Sequence, residues 1–215
     1  MHENHANVQL PVRERTRAAL LDGAERMLAR VGYAQLTMET LAAESGVARR
    51  TAYLYFRGKE QVVLGTVDRI VGRVTDALGE LARADEPAAL RLERMLVARV
   101  LIRLDSVRGY HQALDGLFAS LRPAILERRR AWFAREASQL AAVLRAGQRS
   151  GELAAGDAKQ RADLLILCTN ALLPHGLSTD ELADRGQAER RARAVAQLLL
   201  DGLRAQPPRR AQARK

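Results

Sequence analysis

Residues 37–60, TMETLAAESGVARRTAYLYFRGKE, constrain the fold more than any other part of the chain. Thr37 suits the N-cap of a short first helix, because its hydroxyl can accept a hydrogen bond from a free backbone N–H. Gly46 follows that helix, and glycine tolerates the positive φ of a sharp turn. A second helix then begins with Arg49 and Arg50. Two short helices joined by a glycine turn are typical of a helix-turn-helix, whose second helix enters the DNA major groove.

The same segment closely resembles the DNA-binding signature of the TetR family of bacterial transcriptional regulators. The residues that match that signature are Gly46, Val47, Thr51, Tyr53, Phe56, Lys59 and Glu60. Two residues depart from it. Ala48 stands where the family often has a capping serine, so the recognition helix lacks a side-chain cap worth about 1 kcal/mol. Arg50 stands where a small residue is common, so the base preference of relatives does not transfer to this chain.

The resemblance implies an all-α fold, with an N-terminal three-helix helix-turn-helix head and a C-terminal helical bundle for ligand binding and dimerisation. Arg49 and Arg50, at the N-terminal end of the recognition helix, can reach base edges, where an arginine contacts guanine O6 and N7 together. By resemblance, phosphate contacts are expected from Thr37, Tyr53, Tyr55 and Lys59. Thr51 completes the predicted DNA-binding residues.

The chain is expected to divide into a head, a body and two short tails. The predicted segments are a disordered leader at 1–11, a helix-turn-helix domain at 12–58, a helical regulatory and dimerisation domain at 59–206, and a basic tail at 207–215. By resemblance, the helix at 59–83 links head to body and transmits ligand binding. The net charge of +10 and the isoelectric point near 10.8 indicate a polyanionic partner, although the basic residues are not concentrated in the head.

Apolar residues recur at helical spacing along the whole body, without the sustained alternation that predicts strands. The predicted helices cover residues 12–31, 59–83, 87–103, 110–121, 123–146, 158–173 and 187–204, with a short capped turn at 178–181. In this scheme Pro123 opens a helix, Gly147 and Gly151 end it, and Asp157 caps the next one.

Residues 164–173 are apolar almost all round, so both sides of this helix need cover. One side can meet the core of the body, and we expect the other to meet a second copy in a symmetric dimer. TetR-like proteins dimerise through their last two long helices, which agrees with this expectation. The alternative is full burial within a monomer. The predicted interface residues are Leu164, Leu167, Ala171, Val195 and Leu199.

Cys168 is the only cysteine and lies in the same apolar run, which predicts a buried structural thiol. No intramolecular disulfide can form, which fits a reducing compartment. The N-terminus lacks the basic-then-apolar layout of a signal peptide, and no apolar stretch approaches the roughly 18 residues of a membrane helix. We therefore expect a cytoplasmic protein.

The sequence contains no nucleophile elbow, phosphate-binding glycine loop or zinc-spaced Cys/His set, so we predict neither an enzyme nor a metal or cofactor site. Scattered aromatic and polar residues in the body suit a small-molecule pocket. The predicted pocket residues are Met95, Tyr110, His111, Phe118, Trp132, Phe133, Asn170 and His175. Trp132 lies at the flank of a core stripe, where it faces either a cavity or the protein surface.

The predicted function is that of a homodimeric repressor, which binds double-stranded DNA at a palindromic operator and is released by an unknown small-molecule ligand. The alternative is a TetR-like DNA-binding protein without a small-molecule inducer, which is architectural or controlled by a protein partner. A body with a solidly filled core would favour the alternative.

Overall fold

A computed structural model describes residues 11–204 of the chain, with the backbone alone at residues 112–116 and 118. Within this range the chain folds into nine α-helices joined by short turns, and the predicted all-α class is confirmed. The predicted leader, apart from Pro11, and the predicted basic tail lie outside the described residues. The helices are α1 (Val12–Gln35), α2 (Met38–Glu44), α3 (Arg49–Tyr55), α4 (Lys59–Arg83), α5 (Ala88–Val107), α6 (Leu114–Arg149), α7 (Ala158–Thr169), α8 (Thr179–Ala183) and α9 (Arg185–Asp201).

Helices α1 to α3 form the head, and their boundaries follow the predicted local signals. Thr37 caps α2 through reciprocal side-chain-to-backbone hydrogen bonds with Thr40. Gly46 takes a φ of 66° between α2 and α3, in the left-handed region that favours glycine. Gly32 breaks α1 at a φ of 74°, and one short turn continues after it. Helix α3 begins after Ala48 without a side-chain cap, as the sequence indicates.

A single apolar core joins the head to the body. Leu20 and Leu41 of the head belong to the same buried cluster as Val63 of α4 and Leu104 of α5. A second cluster lies further along α4, where Leu78 packs with residues of α5, α6, α7 and α9. Helix α4 therefore contributes to both cores.

Pro123 does not open a helix, and the predicted division at this point is wrong. Helix α6 runs unbroken through it, and Pro123 is exposed on its surface. A proline inside a helix removes one backbone hydrogen bond, but Leu117 and Leu121 before it and Ala137 and Leu140 after it are all buried. Burial on both sides outweighs the local cost, so the helix continues.

Three other boundaries also differ from the predicted ones. Helix α5 extends one turn past residue 103 to Val107, and α7 ends at Thr169, where a 3-10 turn (Asn170–Leu172) replaces the predicted last turn. Gly147 lies inside α6, where a Cβ would come within 2.7 Å of Ala88 and Leu153 side-chain atoms. This glycine allows close packing, and Gly151, with a φ of 75°, follows the end of the helix.

Candidate DNA-binding face and internal cavity

Helix α3 is anchored by a buried side and presents a polar side to solvent. Ala52 is fully buried and the following Phe56 is nearly so, while Arg49, Arg50 and Tyr53 are exposed. The predicted base-reading arginines therefore lie on the outward face of the head. The sequence analysis missed Leu54, which is 74% exposed at the centre of this face. An exposed leucine between arginines and tyrosines can make apolar contact with a thymine methyl group.

The two arginines at the start of α3 differ in their surroundings. Arg49 forms an ion pair with Glu39 at 2.5 Å, and its guanidinium lies 5.7 Å from the centre of the Tyr53 ring. A hydrogen bond with the Tyr53 side chain and the charge of Glu39 raise the pKa of Arg49. Arg50 is exposed and forms no ion pair with the described residues. Among the described residues, the Arg50 guanidinium is thus free of ion pairs, whereas that of Arg49 is paired with Glu39.

Lys59 is already engaged within the protein. Its ammonium donates hydrogen bonds of 3.3 Å to the carbonyl oxygens of Tyr33 and Ala34 and lies 4.6 Å from the centre of the Tyr33 ring. Lys59 thus ties the start of α4 to the end of α1, where free carbonyls and the helix dipole favour a cation.

The remaining predicted phosphate-contacting residues occupy the edges of the same face. Thr37 is exposed at the start of α2, with its hydroxyl bonded within the capping box. Thr51 is partly exposed, and Tyr55 is partly buried against the core of the head.

An internal cavity lies between α4, α5, α6 and the segment that follows α7. Its volume is about 100 Å³, and it opens to solvent on one side. Apolar side chains make most of the wall, and they include Val63, Ile70 and Val107. Among the described side chains, Arg103 and Arg129 are the charged lining groups, and Tyr110 and His175 are titratable ones.

The structure brings four of the predicted pocket residues to this cavity and places the others elsewhere. Tyr110, Trp132, Phe133 and His175 line the wall. Met95 is fully buried in the second core, His111 lies in a separate cleft beside α1, and Asn170 accepts a 2.7 Å hydrogen bond from Arg99. The side chain of Phe118 lies outside the described residues. Arg103 and Arg129 also line the cavity but were not predicted from the sequence, because an arginine in a helix is expected to face solvent.

Trp132 faces the cavity and not the protein surface. Only 8% of it is exposed, and its indole Nε1 donates a 3.1 Å hydrogen bond to Asp68 Oδ1 on α4. Arg128 holds the second oxygen of the same carboxylate at 2.6 Å. Trp132 therefore contacts the cavity and the linking helix at once.

Behind the cavity wall lies a buried polar network. Glu136 and Arg99 are fully buried and form an ion pair at 2.6 Å, and Arg103 also donates to the Glu136 carboxylate. Arg99 further donates to Thr169 at 2.8 Å, which ties α5 to α7. Burial lowers the pKa of Arg99 to about 10, which leaves the guanidinium charged at neutral pH.

His175 lies at the cavity beside these arginines. Partial burial lowers the pKa of His175, and the charges of Arg129, Arg99 and Arg103 lower it further. The imidazole is therefore mostly neutral near pH 7, and the positive charge at this end of the cavity comes from the arginines.

Helices α7 and α9 expose an apolar surface, which we call the leucine face. It is formed by Leu164, Leu167 and Leu198, which are 52%, 64% and 75% exposed. Cys168 is exposed beside them, so the prediction of a buried thiol is wrong. Ala171 is also exposed. The predicted interface residues Val195 and Leu199 are only partly exposed, and Leu199 packs against the second core.

The family comparison matches most of the head and the first residues of α4. The family model described as bacterial regulatory proteins of the tetR family matches residues 20–65. The HTH-type transcriptional regulator EthR of Mycobacterium tuberculosis is 31% identical over 114 residues, which are 53% of this chain and 51% of the relative. The regulator BetI of Rhizobium meliloti is 34% identical over 96 residues, 44% of each chain. The chain thus spans about half the length of the curated relatives it matches.

The comparisons with solved structures cover nearly the whole chain. A structure of SmeT in complex with triclosan superposes with a TM-score of 0.66 at 22% identity, over 88% of this chain and 91% of that one. A transcriptional regulator from Saccharomonospora viridis in complex with choline gives a TM-score of 0.64 at 22% identity, over 90% of this chain and 100% of that one. At this identity the likeness shows the fold.

Between residues 11 and 204, no helix is both long and apolar enough to cross a bilayer. Over the same range, no three or more His, Cys, Asp and Glu side chains are grouped to hold a metal ion.

Proposed function

We infer the function of this chain from its membership of the TetR family of bacterial regulatory proteins, to which its head and its all-α fold assign it. We propose that it is a homodimeric transcriptional repressor that binds a palindromic operator and leaves it when a small molecule enters the cavity. The observation that carries this proposal is that one helix, α4, forms a wall of the cavity and also holds the head.

DNA binding is proposed for the exposed face of α3 and its surroundings. Arg50 and Leu54 have no competing partner among the described residues and would read base edges, with Arg49 joining them after release from Glu39. Thr37, Thr51, Tyr53 and Tyr55 would contact phosphates. Lys59 would act mainly by holding the head on α4, because its ammonium already has two carbonyl partners.

A symmetric dimer is proposed through the leucine face. An exposed apolar surface of three leucines on two adjacent helices is a liability in a monomer and is removed by an isologous contact. The twofold axis would then present two α3 helices to successive major grooves, about 34–36 Å apart or somewhat more.

Release from DNA is proposed to pass along α4 to the head. Val63, Thr66 and Ile70 of this helix line the cavity. On another side of α4, Arg69 forms ion pairs with Asp22 at 2.6 Å and Glu25 at 2.7 Å, both on α1. A ligand that displaces α4 would therefore change the position of α1. A ligand shifts such an equilibrium only by its difference in affinity for the two arrangements.

The proposal is tested with Trp132 as the probe. A screen of anionic, neutral and cationic lipophilic compounds should find one that raises the thermal unfolding midpoint, since a ligand stabilises the native state by mass action. That compound should change Trp132 emission over the concentration range that releases operator DNA. Linkage requires the operator to weaken ligand affinity by the factor by which ligand weakens operator affinity. Equal ligand affinities with and without operator would contradict release by that compound.

A failure of the whole screen would point to the other function. If no compound of any charge raises the midpoint while the protein still binds a palindromic site, control by a protein partner or an architectural role replaces the ligand-responsive function. A filled cavity is not expected to be needed for DNA binding itself.

A further inference from the structure

We propose that the cavity selects an anionic ligand, one with a slim apolar body and a single acidic head group that lies against Arg103 and Arg129. This inference rests on the proposed function, because it names the chemical class that the same cavity accepts. It comes from the distribution of charge around the wall, which is one-sided.

Positive charge exceeds negative charge at one end of the cavity. Three guanidinium groups meet there, those of Arg99, Arg103 and Arg129, and the ring of Phe133 lies between two of them, 5.0 Å from Arg99 and 5.7 Å from Arg129. Among the described side chains, Glu136 is the only carboxylate within ion-pairing distance of these three arginines. One negative charge against three positive ones leaves a net excess of two positive charges.

The two arginines of the wall have hydrogen-bond donors to spare. Arg103 uses one nitrogen for Glu136 and another for the carbonyl oxygen of Arg99, at 3.0 Å. A guanidinium has five N–H donors in a fixed fork, so donors remain for the cavity side. Arg129 forms no ion pair with the described residues, and its guanidinium lies 5.7 Å from the centre of the Phe133 ring. An acidic head group could accept hydrogen bonds from both Arg103 and Arg129. Arginine is well suited to bind a carboxylate through paired N–H groups.

The described wall of the cavity contains no carboxylate that could pair with a cationic ligand. Asp68 binds the lining residue Trp132, and its two oxygens are taken by Arg128 at 2.6 Å and by Trp132 at 3.1 Å. Asp68 does not itself line the cavity. A buried cation without a paired carboxylate is costly, so the described wall disfavours amines.

The rest of the cavity suits a slim apolar body. Val63, Val107, Leu117 and Leu173 surround it, together with the face of Trp132. Its volume of about 100 Å³ is of the order of the ~150 Å³ engineered cavity that accepts benzene. This volume favours a body no larger than a single ring or a narrow chain, with the acidic head group at the arginine end.

Three compounds with one body and different head groups test the charge preference. They are 4-phenylbutyrate, 4-phenylbutanol and 4-phenylbutylamine, which are negative, neutral and positive at neutral pH. Binding to the full-length protein is measured by Trp132 quenching and by the thermal midpoint. We expect the acid to bind at least about ten-fold more tightly than the alcohol, which corresponds to about 1.4 kcal/mol, and the amine to bind more weakly than the alcohol.

A pair of variants then locates the head group. Arg129→Gln should lower the affinity for the acid about ten-fold and leave that for the alcohol unchanged, because a charge-assisted hydrogen bond is lost. Arg130→Gln is the matched control, since Arg130 is the exposed neighbour and does not line the cavity. Both side chains are exposed, so neither variant should disturb the fold.

The outcomes separate this inference from the function on which it rests. Tight binding of the alcohol or the amine, or an equal loss in both variants, would overturn the anionic preference and leave a ligand-responsive repressor in place. If none of the three compounds binds, the inference fails, and the broader screen decides the proposed function. Acid binding that is lost only in Arg129→Gln supports the inference even if the acid does not release DNA.

Discussion

At the scale of single residues, neighbours decide which of two adjacent arginines is free to act. Arg49 and Arg50 stand side by side at the start of α3, yet only Arg49 is paired with a carboxylate. Any contact of Arg49 with a base has to replace that ion pair, so its net contribution is reduced. Arg50 has no ion pair to replace among the described residues, so its contribution to DNA binding should be larger than that of Arg49.

We predict that Arg50→Ala will cost about 1–3 kcal/mol on the cognate operator and relax the preference at one base pair. Arg49→Ala should cost less on the same site, because Arg49 has to give up its ion pair with Glu39 before it can contact DNA. Fluorescence anisotropy with operator and random DNA measures both effects. Equal losses for operator and random DNA in Arg50→Ala would mean that this residue contacts phosphate and does not read bases.

The buried ion pairs behind the cavity give a second prediction at this scale. Glu136→Gln should lower the free energy of unfolding by about 3–5 kcal/mol, because it leaves two buried guanidinium groups without a counter-charge. The exposed pair of Arg94 and Glu86 is the control, and Glu86→Gln should change stability by about 1 kcal/mol or less. Urea unfolding of both variants compares them. A change at Glu136 as small as that at Glu86 would show that the network is not a structural requirement.

At the scale of elements, α4 connects the cavity in the body to the head. One side of it lines the cavity, its first residue holds the end of α1, and Arg69 reaches two carboxylates of the head. The 3-10 turn Arg108–Ala113 gives a second route, because Tyr110 lines the cavity and also the cleft beside α1. Burial raises the pKa of Tyr110, so its hydroxyl stays neutral at physiological pH.

We predict that Arg69→Gln will weaken the coupling between ligand and operator and leave the affinity for the ligand itself intact. The substitution removes both ion pairs to α1, and Arg69 does not itself line the cavity. Mutations of this kind change a coupling free energy by about 0.5–2 kcal/mol. The measurement is the ratio of ligand affinities with and without operator, with Arg73→Gln on the same helix as the control. An unchanged ratio would mean that the signal travels through Tyr110 and not through Arg69.

At the scale of the whole molecule, the proposed dimer depends on where the leucines of α7 and α9 point. Leu198 is exposed while its neighbour Leu199 packs inward. A charge at residue 199 would therefore damage the fold, whereas a charge on the leucine face would affect only association. Substitutions at Leu167 and Leu198 therefore test association without disturbing the fold.

We predict that Leu167→Glu will give a folded monomer that no longer binds a palindromic operator tightly, because burying a charge opposes association. Leu54→Glu is the matched control, since it places the same charge on an exposed leucine of α3. That variant should remain dimeric and lose DNA binding. Light scattering at micromolar concentration, with circular dichroism for folding, distinguishes the two. A monodisperse monomer of the unaltered protein would contradict the proposed dimer.

Local signals along the chain determined the head and the class of fold. Thr37, Gly46 and the capped turn at 178–181 act within one helical turn, so their roles could be predicted from the sequence. Helix α4 was predicted with its observed bounds for the same reason. The resemblance to the TetR family also depended on such a local run, and the family match lies in that part of the chain.

Tertiary structure alone decided what depends on contacts between distant residues. Pro123 favours a break by its own chemistry, yet burial of the side chains on both sides carries α6 through it. Arg103 and Arg129 read as surface residues in sequence, and only the packing of α5 against α6 brings them to one cavity wall. Whether a side chain meets solvent, a counter-charge or a cavity is settled by helices far away in the chain, and the local pattern contains no record of that packing.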